Sequence, residues 1–468
     1  MSAATGQLTQ AHLVVEQALE ASRSEACIVI VEEDSEAELR FANNTVTTNG
    51  TRRDRNVSVI SFRETEGGTA VGTASSSGAA DAVDLVRRAE ANAATAPPAE
   101  DASPLVGPSG VALPSEFADP PQMTSLAGLG DVLARLGDAF GRARSAGTSL
   151  YGFAEHQVST TYLGSSTGLR LRHVQPTGKL EVVARTDGGE RSAWAAAGAC
   201  DLATVHVEEL EERLVRRLAW AERRIELDPG RYEVLLPPDA VADLVIMLGL
   251  STSGREAEEG RSVFSAPGGA TRLGESLSTQ PFSLRSDPGE PGLECSPFLA
   301  TSASGQDMSV FDNGLGIERT EWVSQGRLAR LQYHRAAAKR SGMEAATLAD
   351  NLILELPGAT ASLEDLVGRT ERGLLLTCLW YIREVDPATL LLTGLTRDGV
   401  YLVEHGEIVG SVNNFRFNES PVDLLSKAIE AGRTERALSR EWNEWLNRTA
   451  MPPLRVAEFN MSSVSPAT

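Results

Sequence analysis

The side chains able to do chemistry are spread thinly over the 468 residues. Six histidines, His12, His156, His173, His206, His334 and His405, stand too far apart for two to share a helical turn, so a zinc helix of the HExxH type is excluded. Four cysteines, Cys27, Cys200, Cys295 and Cys378, show no CxxC or paired spacing, which argues against a zinc knuckle or a disulfide framework and for buried free thiols. None has an electropositive sequence context that would lower its pKa, and Cys378 alternates with apolar residues in LLLTCLWYIREV, as a core residue does. No nucleophile elbow is recognised, and the glycine-rich pieces EGGTAVG, SAPGGATRLG and DPGEPG lack a phosphate-cradling pattern and read as turns. One stretch, VADLVIMLGLSTSGREAEEGRSVF at 241–264, runs from an apolar helix into Arg255, Glu256, Glu258, Glu259 and Arg261. Three carboxylates could do acid–base work there, but the flanking arginines balance them as on a solvated helix end.

The elements around these residues form two halves. The length exceeds one ordinary core, so two domains are expected, 1–225 and 226–468, divided at the turn signal Asp228-Pro229-Gly230. The first half predicts a helix at 9–22 capped by Thr9, strands in ACIVIVEED, ELRFANNTVTTNG, RNVSVISFRE and GTAVGTASSS, and a helix at 81–96. A Pro/Ala/Gly/Ser-rich excursion follows at 96–122, then a helix, three more strands and an amphipathic helix at 201–224. The second half predicts a helix introduced by Pro237 and Pro238, then mostly strands, with hairpins at Asn313-Gly314, Asp398-Gly399 and His405-Gly406, a short helix in SPVDLLSKAIEAG and a polar tail. The fold class is α+β: an antiparallel sheet with packed helices, then a largely β domain forming a curved or barrel-like sheet.

Sixty-four acidic against 43 basic residues give a net charge of −21, which opposes direct nucleic-acid binding. No apolar run reaches the length of a membrane span, and the first residues lack the pattern of a secretory signal, so a cytoplasmic protein is expected.

The order of segments resembles the TldD/PmbA family of metallopeptidase-related proteins. The resemblance rests on ELRFANNTVTTNGTRRDRNVSV, on GRSVFS followed by FDNGLGIERTEWVSQGRLARLQYHR, and on the long segment from NLILELPGATASLEDL to VNNFRFNESPVDLL. In that family two related chains enclose a chamber, and the TldD-type chain carries an HExxxH zinc helix with a later cysteine ligand. Aligned through GRSVFS, Val245 and Ile246 stand where the first His and the Glu would be, Leu250 replaces the second His, and Gly249 keeps the family glycine. No cysteine follows Cys378. The resemblance therefore implies a TldE (PmbA)-type subunit with no catalytic residues, metal or cofactor of its own.

It also implies a heterodimer with a TldD-like partner that holds the zinc, acting on unfolded or peptide-derived substrates. Such a subunit could receive an extended peptide at a strand edge, expected at Leu392, Thr393, Gly394, Leu395 and Thr396, where Gly394 would allow close backbone approach. The alternatives are a stand-alone amide hydrolase of natural-product biosynthesis and a homodimeric, non-enzymatic binding protein.

Overall fold

Period-two alternation builds the first half. The computed structural model describes residues 9–79, 81–108, 116–397 and 399–465. Its opening elements are α1 (Ala11–Ala21), β1 (Ala26–Ala42), β2 (Thr45–Thr65), β3 (Gly68–Ser77), α2 (Ala82–Thr95), α3 (Gly130–Ser145), β4 (Thr148–Ser165), β5 (Arg170–Thr186), β6 (Ser192–Ala199) and α4 (Val207–Trp220). The strands form one antiparallel sheet in the order β3-β2-β1-β4-β5-β6. Val29, Val31, Val57 and Val59 point to one face and are covered by α1 and α2. Their neighbours Ile28, Ile30, Ile60 and Phe62 point to the other face and pack on Phe298 and Phe311 of the second half. Further along the same strands Leu39 and Phe41 bury against α3 and α4. Alternation along a strand thus joins the halves through a shared apolar core.

Several expectations change here. ELRFANNTVTTNG is not one strand but the tip of the β1–β2 hairpin, turned at Asn43 and Asn44, whose φ values of 50° and 58° suit a two-residue turn. GLRLRHVQ and KLEVVARTD join into the single strand β5. The Ala-rich strand β6 had no β-branched signature to announce it. Thr9 does not cap α1, whose N-cap is Gln10 without a side-chain bond, whereas Asp81 caps α2 by accepting from the Val83 and Asp84 N–H groups. Residues 109–115 of the Pro-rich excursion lie outside the described residues.

The second half continues with β7 (Arg224–Ile225), β8 (Gly230–Leu236), α5 (Pro238–Leu250), α6 (Gly254–Glu258), β9 (Ser265–Ala266), β10 (Ala270–Thr271), β11 (Ser283–Ser286), β12 (Thr320–Ser324), β13 (Arg327–Leu328), α7 (Arg335–Ser341) and β14 (Leu352–Glu355). It is completed by α8 (Leu363–Gly368), β15 (Arg372–Leu376), β16 (Leu379–Asp386), β17 (Leu391–Thr396), β18 (Val400–Glu404), β19 (Glu407–Val412), β20 (Phe415–Glu419), α9 (Pro421–Ser426), β21 (Ala428–Ala431), β22 (Glu435–Ala437), β23 (Thr449–Met451) and β24 (Leu454–Val464). One sheet runs β13-β12-β11-β14-β23-β22, and a larger one runs β16-β17-β20-β24-β8-β15-β18-β19-β7. The α+β class and the curved, β-rich second half are as expected. LLLTCLWYIREV, however, breaks at Thr377-Cys378 into β15 and β16, which are not neighbours in the sheet, and EIVGSVNNFRF breaks at Asn413-Asn414. His405-Gly406 makes the expected β18–β19 hairpin turn. Asn313-Gly314 makes no hairpin: it follows a single helical turn at Val310–Asp312, and Gly314 packs against Leu169. Asp398 lies outside the described residues, and the strands either side of it, β17 and β18, do not pair. The expected polar tail is instead β24, seated between β20 and β8 in the interior of the large sheet.

Close packing of α2 on the sheet needs a glycine at position 72, where an added Cβ would lie 2.1 Å from the Ala93 nitrogen and 2.3 Å from the Ala89 oxygen. Those are backbone atoms that cannot swing aside. Gly72→Ala should therefore lower stability by about 3 kcal/mol, read as a fall in the urea unfolding midpoint; an unchanged midpoint would contradict this packing.

Candidate functional site

Helix α5 is apolar apart from Asp239 and Asp243, and ten of its 13 residues are buried. Such a helix belongs inside a core. It packs against β8, β22, β23 and α9. Val245 and Ile246 are fully buried. Gly249 packs closely on Leu352, where an added Cβ would come 2.9 Å from a methyl that would have to shift. Leu250 differs: it is 39% exposed at the helix end, facing outward rather than into the core.

Two residues that the sequence reading missed give α5 its polar ties. The Asp243 carboxylate accepts from the Ser439 hydroxyl at 2.6 Å and the Glu441 N–H at 2.9 Å, and its backbone carbonyl accepts from the Trp442 indole at 2.8 Å. One turn earlier Asp239 accepts from the Leu438 N–H at 3.0 Å, with Arg213 4.0 Å away. Burial pushes the Asp243 carboxyl up to about 8, against the pull of those two donors. The signal was available: two acids four residues apart in an otherwise apolar helix must share one face and find partners there. These carboxylates hold the 438–443 segment rather than a substrate.

Beyond Leu250 the chain enters a cleft of about 380 Å³ between α6 and the end of β16, lined by Ser251, Glu256, Arg261, Glu384 and Pro387. The Ser253 hydroxyl caps α6 by accepting from the Glu256 N–H. The acidic run is balanced as its sequence suggested: Arg255 bonds Glu259 at 2.9 Å, and Arg261 pairs with Glu259 and, at 3.7 Å, with Glu256. Glu384 is raised by burial and by the neighbouring Glu256 and Asp386 charges. Asp307 is raised to about 6, first by burial and further by Glu256, while Ser253 pulls it back.

The other candidates resolve into structural roles. His156 is satisfied by the Thr124 hydroxyl at 2.7 Å and the Cys200 carbonyl at 3.1 Å, and His334 caps α7 by accepting from the Ala337 N–H. Burial pushes the Cys27 and Cys295 thiols up to about 11 and about 12. Cys378 is buried as expected, but the expectation of no cation nearby fails: Arg440 Nη1 lies 2.9 Å from its sulfur, brought there by the fold from 62 residues away. A GxSxG spacing does occur at Gly164-Ser165-Ser166-Thr167-Gly168, in the β4–β5 hairpin turn rather than on a strand-to-helix elbow, and the Ser166 hydroxyl accepts from the Cys27 N–H. Among the described residues no three His, Cys, Asp or Glu side chains converge to hold a metal ion. The α5 positions 245, 246 and 250 offer hydrocarbon only, so they do not fit one.

The strand expected to receive a peptide is not an edge. β17 is hydrogen-bonded to β16 on one side and to β20 on the other, so its two backbone edges are taken. Leu392 and Thr396 are buried, and the Thr396 hydroxyl accepts from the Phe415 N–H at 2.8 Å. Thr393 donates to the Phe417 carbonyl, and Gly394 makes room for the Phe417 ring, 2.4 Å from where its Cβ would be. Leu395 is half-buried beside them. The outer edge of this region belongs to β16, which among the described residues pairs with β17 alone and carries the exposed Tyr381 and Val385. At one point that edge is occupied, where the Tyr381 N–H donates to Glu441.

Three family profiles match the chain: PmbA/TldA metallopeptidase domain 1 over residues 27–93, the central domain over 120–222 and the C-terminal domain over 229–463. No curated protein sequence matches it. Among solved structures it resembles TldE from Thermococcus kodakarensis, with a TM-score of 0.75 at 17% identity over 96% of this chain and 98% of that one. A putative modulator of DNA gyrase from Thermotoga maritima gives a TM-score of 0.74 at 18% identity, over 93% and 95% of the two chains. A second putative modulator of DNA gyrase, from Bacteroides thetaiotaomicron, gives 0.71 at 15%, over 97% and 98%.

The Asp243 carboxyl makes a pH prediction. Its pKa is higher in the folded chain than in the unfolded one, so the unfolded state binds fewer protons between the two values and stability falls as pH rises from about 4 to about 8. Asp243→Asn keeps an acceptor for Ser439 and Glu441 but cannot ionise. The melting temperature of the variant relative to the parent should therefore rise between pH 5 and pH 9; a difference that is flat with pH would contradict the assignment.

Proposed function

The chain belongs to the PmbA/TldA metallopeptidase family, and on that premise we propose that it is the TldE-like, non-catalytic subunit of a two-chain peptidase. Its TldD-like partner would hold the zinc and break the peptide bond. The observation that carries this reading is the character of α5: the residues aligned with the HExxxH motif are Val245, Ile246 and Leu250, and none can bind a metal or move a proton. The cleft beside Leu250 and the strand edge of β16 remain available next to that helix end.

In this reading the chain forms half of a chamber wall and helps to present an extended peptide. Main-chain bonding along a strand edge is tolerant of sequence, which suits unfolded or peptide-derived substrates. The receiving edge is reassigned from β17 to β16, with Tyr381 and Val385 flanking the peptide as apolar contacts. The acidic balance of the chain disfavours contact with DNA. A location in the cytoplasm belongs to the same proposal; no helix among the described residues is long and apolar enough to cross a membrane.

A second reading, a stand-alone amide hydrolase, has one observation in its favour: Glu384, raised by burial and by the Glu256 charge, lines the cleft together with Glu256. Glu384→Gln tests it, since loss of hydrolysis by the chain alone would favour that reading and the absence of any such hydrolysis would dismiss it. For the edge itself, Val385→Pro in the reconstituted pair should cut peptide cleavage by roughly tenfold while the two chains still co-purify. Undiminished cleavage with the pair intact would remove β16 from the account.

A further inference from the structure

Among the described residues a further long strand edge stands without a strand partner. β3 covers β2 only from Asn56 to Thr65, so the outer edge of β2 from Thr45 to Asp54 has no strand partner among the described residues. All ten of those residues are exposed. β1 supports them along the inner edge, which holds the segment extended. A backbone edge of that length selects a strand as its occupant, because only another strand meets its N–H and C=O groups at matched spacing.

The charges in TVTTNGTRRD narrow the choice of strand. Antiparallel pairing of the segment with itself, centred on Gly50, opposes Asn49 to Thr51, Thr48 to Arg52, Thr47 to Arg53 and Val46 to Asp54. No like charges face each other in that register. A parallel alignment would set Arg52 on Arg52 and Arg53 on Arg53, which is destabilising. The same arginines and aspartate that discourage indiscriminate edge pairing are accommodated by this one arrangement.

We propose that two copies of this chain join through β2, antiparallel about a two-fold axis at Gly50, so that their first-half sheets become one continuous sheet. The joint uses none of the residues assigned to the peptide above. It would set two peptidase halves back to back.

Gly50 can report on it directly, because an added Cβ there meets nothing within 4 Å. On the two-fold axis, Gly50→Cys should place two thiols directly opposite each other and give a disulfide-linked dimer on mild oxidation. Thr45→Cys should stay monomeric on a non-reducing gel, since its two copies would be roughly 34 Å apart. Thr48→Arg, which sets an arginine against Arg52 twice per dimer, should raise the dimer dissociation constant roughly tenfold in sedimentation equilibrium. Cross-linking at position 50 but not 45 supports the joint. Cross-linking at neither or at both, or a dimer indifferent to Thr48→Arg, overturns it.

Discussion

A helix with no free face constrains the whole second half of this protein. α5 is apolar apart from two aspartates and mostly buried, and β8, β22, β23 and α9 enclose it. The enclosure would leave Asp239 and Asp243 unsatisfied, at a cost of several kcal/mol if ionised and unpaired. The 438–443 segment removes that cost by turning its own N–H groups and a serine hydroxyl onto them. That turn in the chain then places Arg440 between the Trp194 and Trp380 rings, 5.3 Å and 4.5 Å from their centroids, and sets Asn443 against Glu181 of β5. Buried carboxylates on one helix thus fix how the two halves meet.

The same constraint decides where anything could bind. With most of α5 enclosed, Leu250 is its most exposed residue, next in the chain to Ser251, which lines the cleft between α6 and the end of β16. Position 250 is therefore the point of the helix most open to a substrate or a partner chain. It carries leucine. Val245 and Ile246 are packing inside the core, while Leu250 is exposed at the helix end.

Much of the fold was legible, and the misses share physical causes. Strands with β-branched alternation and turns with Asn, Gly or Pro declared themselves, as at β3 and at His405-Gly406. β5 runs unbroken through Pro176 because β6 pairs only from Gly178 onward, leaving Pro176 where a missing N–H costs no bond. β6 was hidden by alanine, which packs well against Leu438 but has no strand preference of its own. β24 was hidden by its polar residues, although Leu454, Val456, Phe459 and Met461 are buried in it. Which strands are edges is a property of the assembled sheet, so nothing local could show that β17 is internal and β16 is not. The family resemblance carried what local patterns could not, the membership that three family profiles match.

The division of labour between two chains is the central claim, and metal content with activity tests it most directly. Zinc should be measured in, and unfolded-peptide hydrolysis assayed with, this chain alone, a TldD-like chain alone and the two mixed. The account predicts no stoichiometric zinc and no hydrolysis from this chain by itself, with activity in the mixture tracking the zinc of the other chain. One zinc per chain, or peptide cleavage by this chain alone, would contradict it.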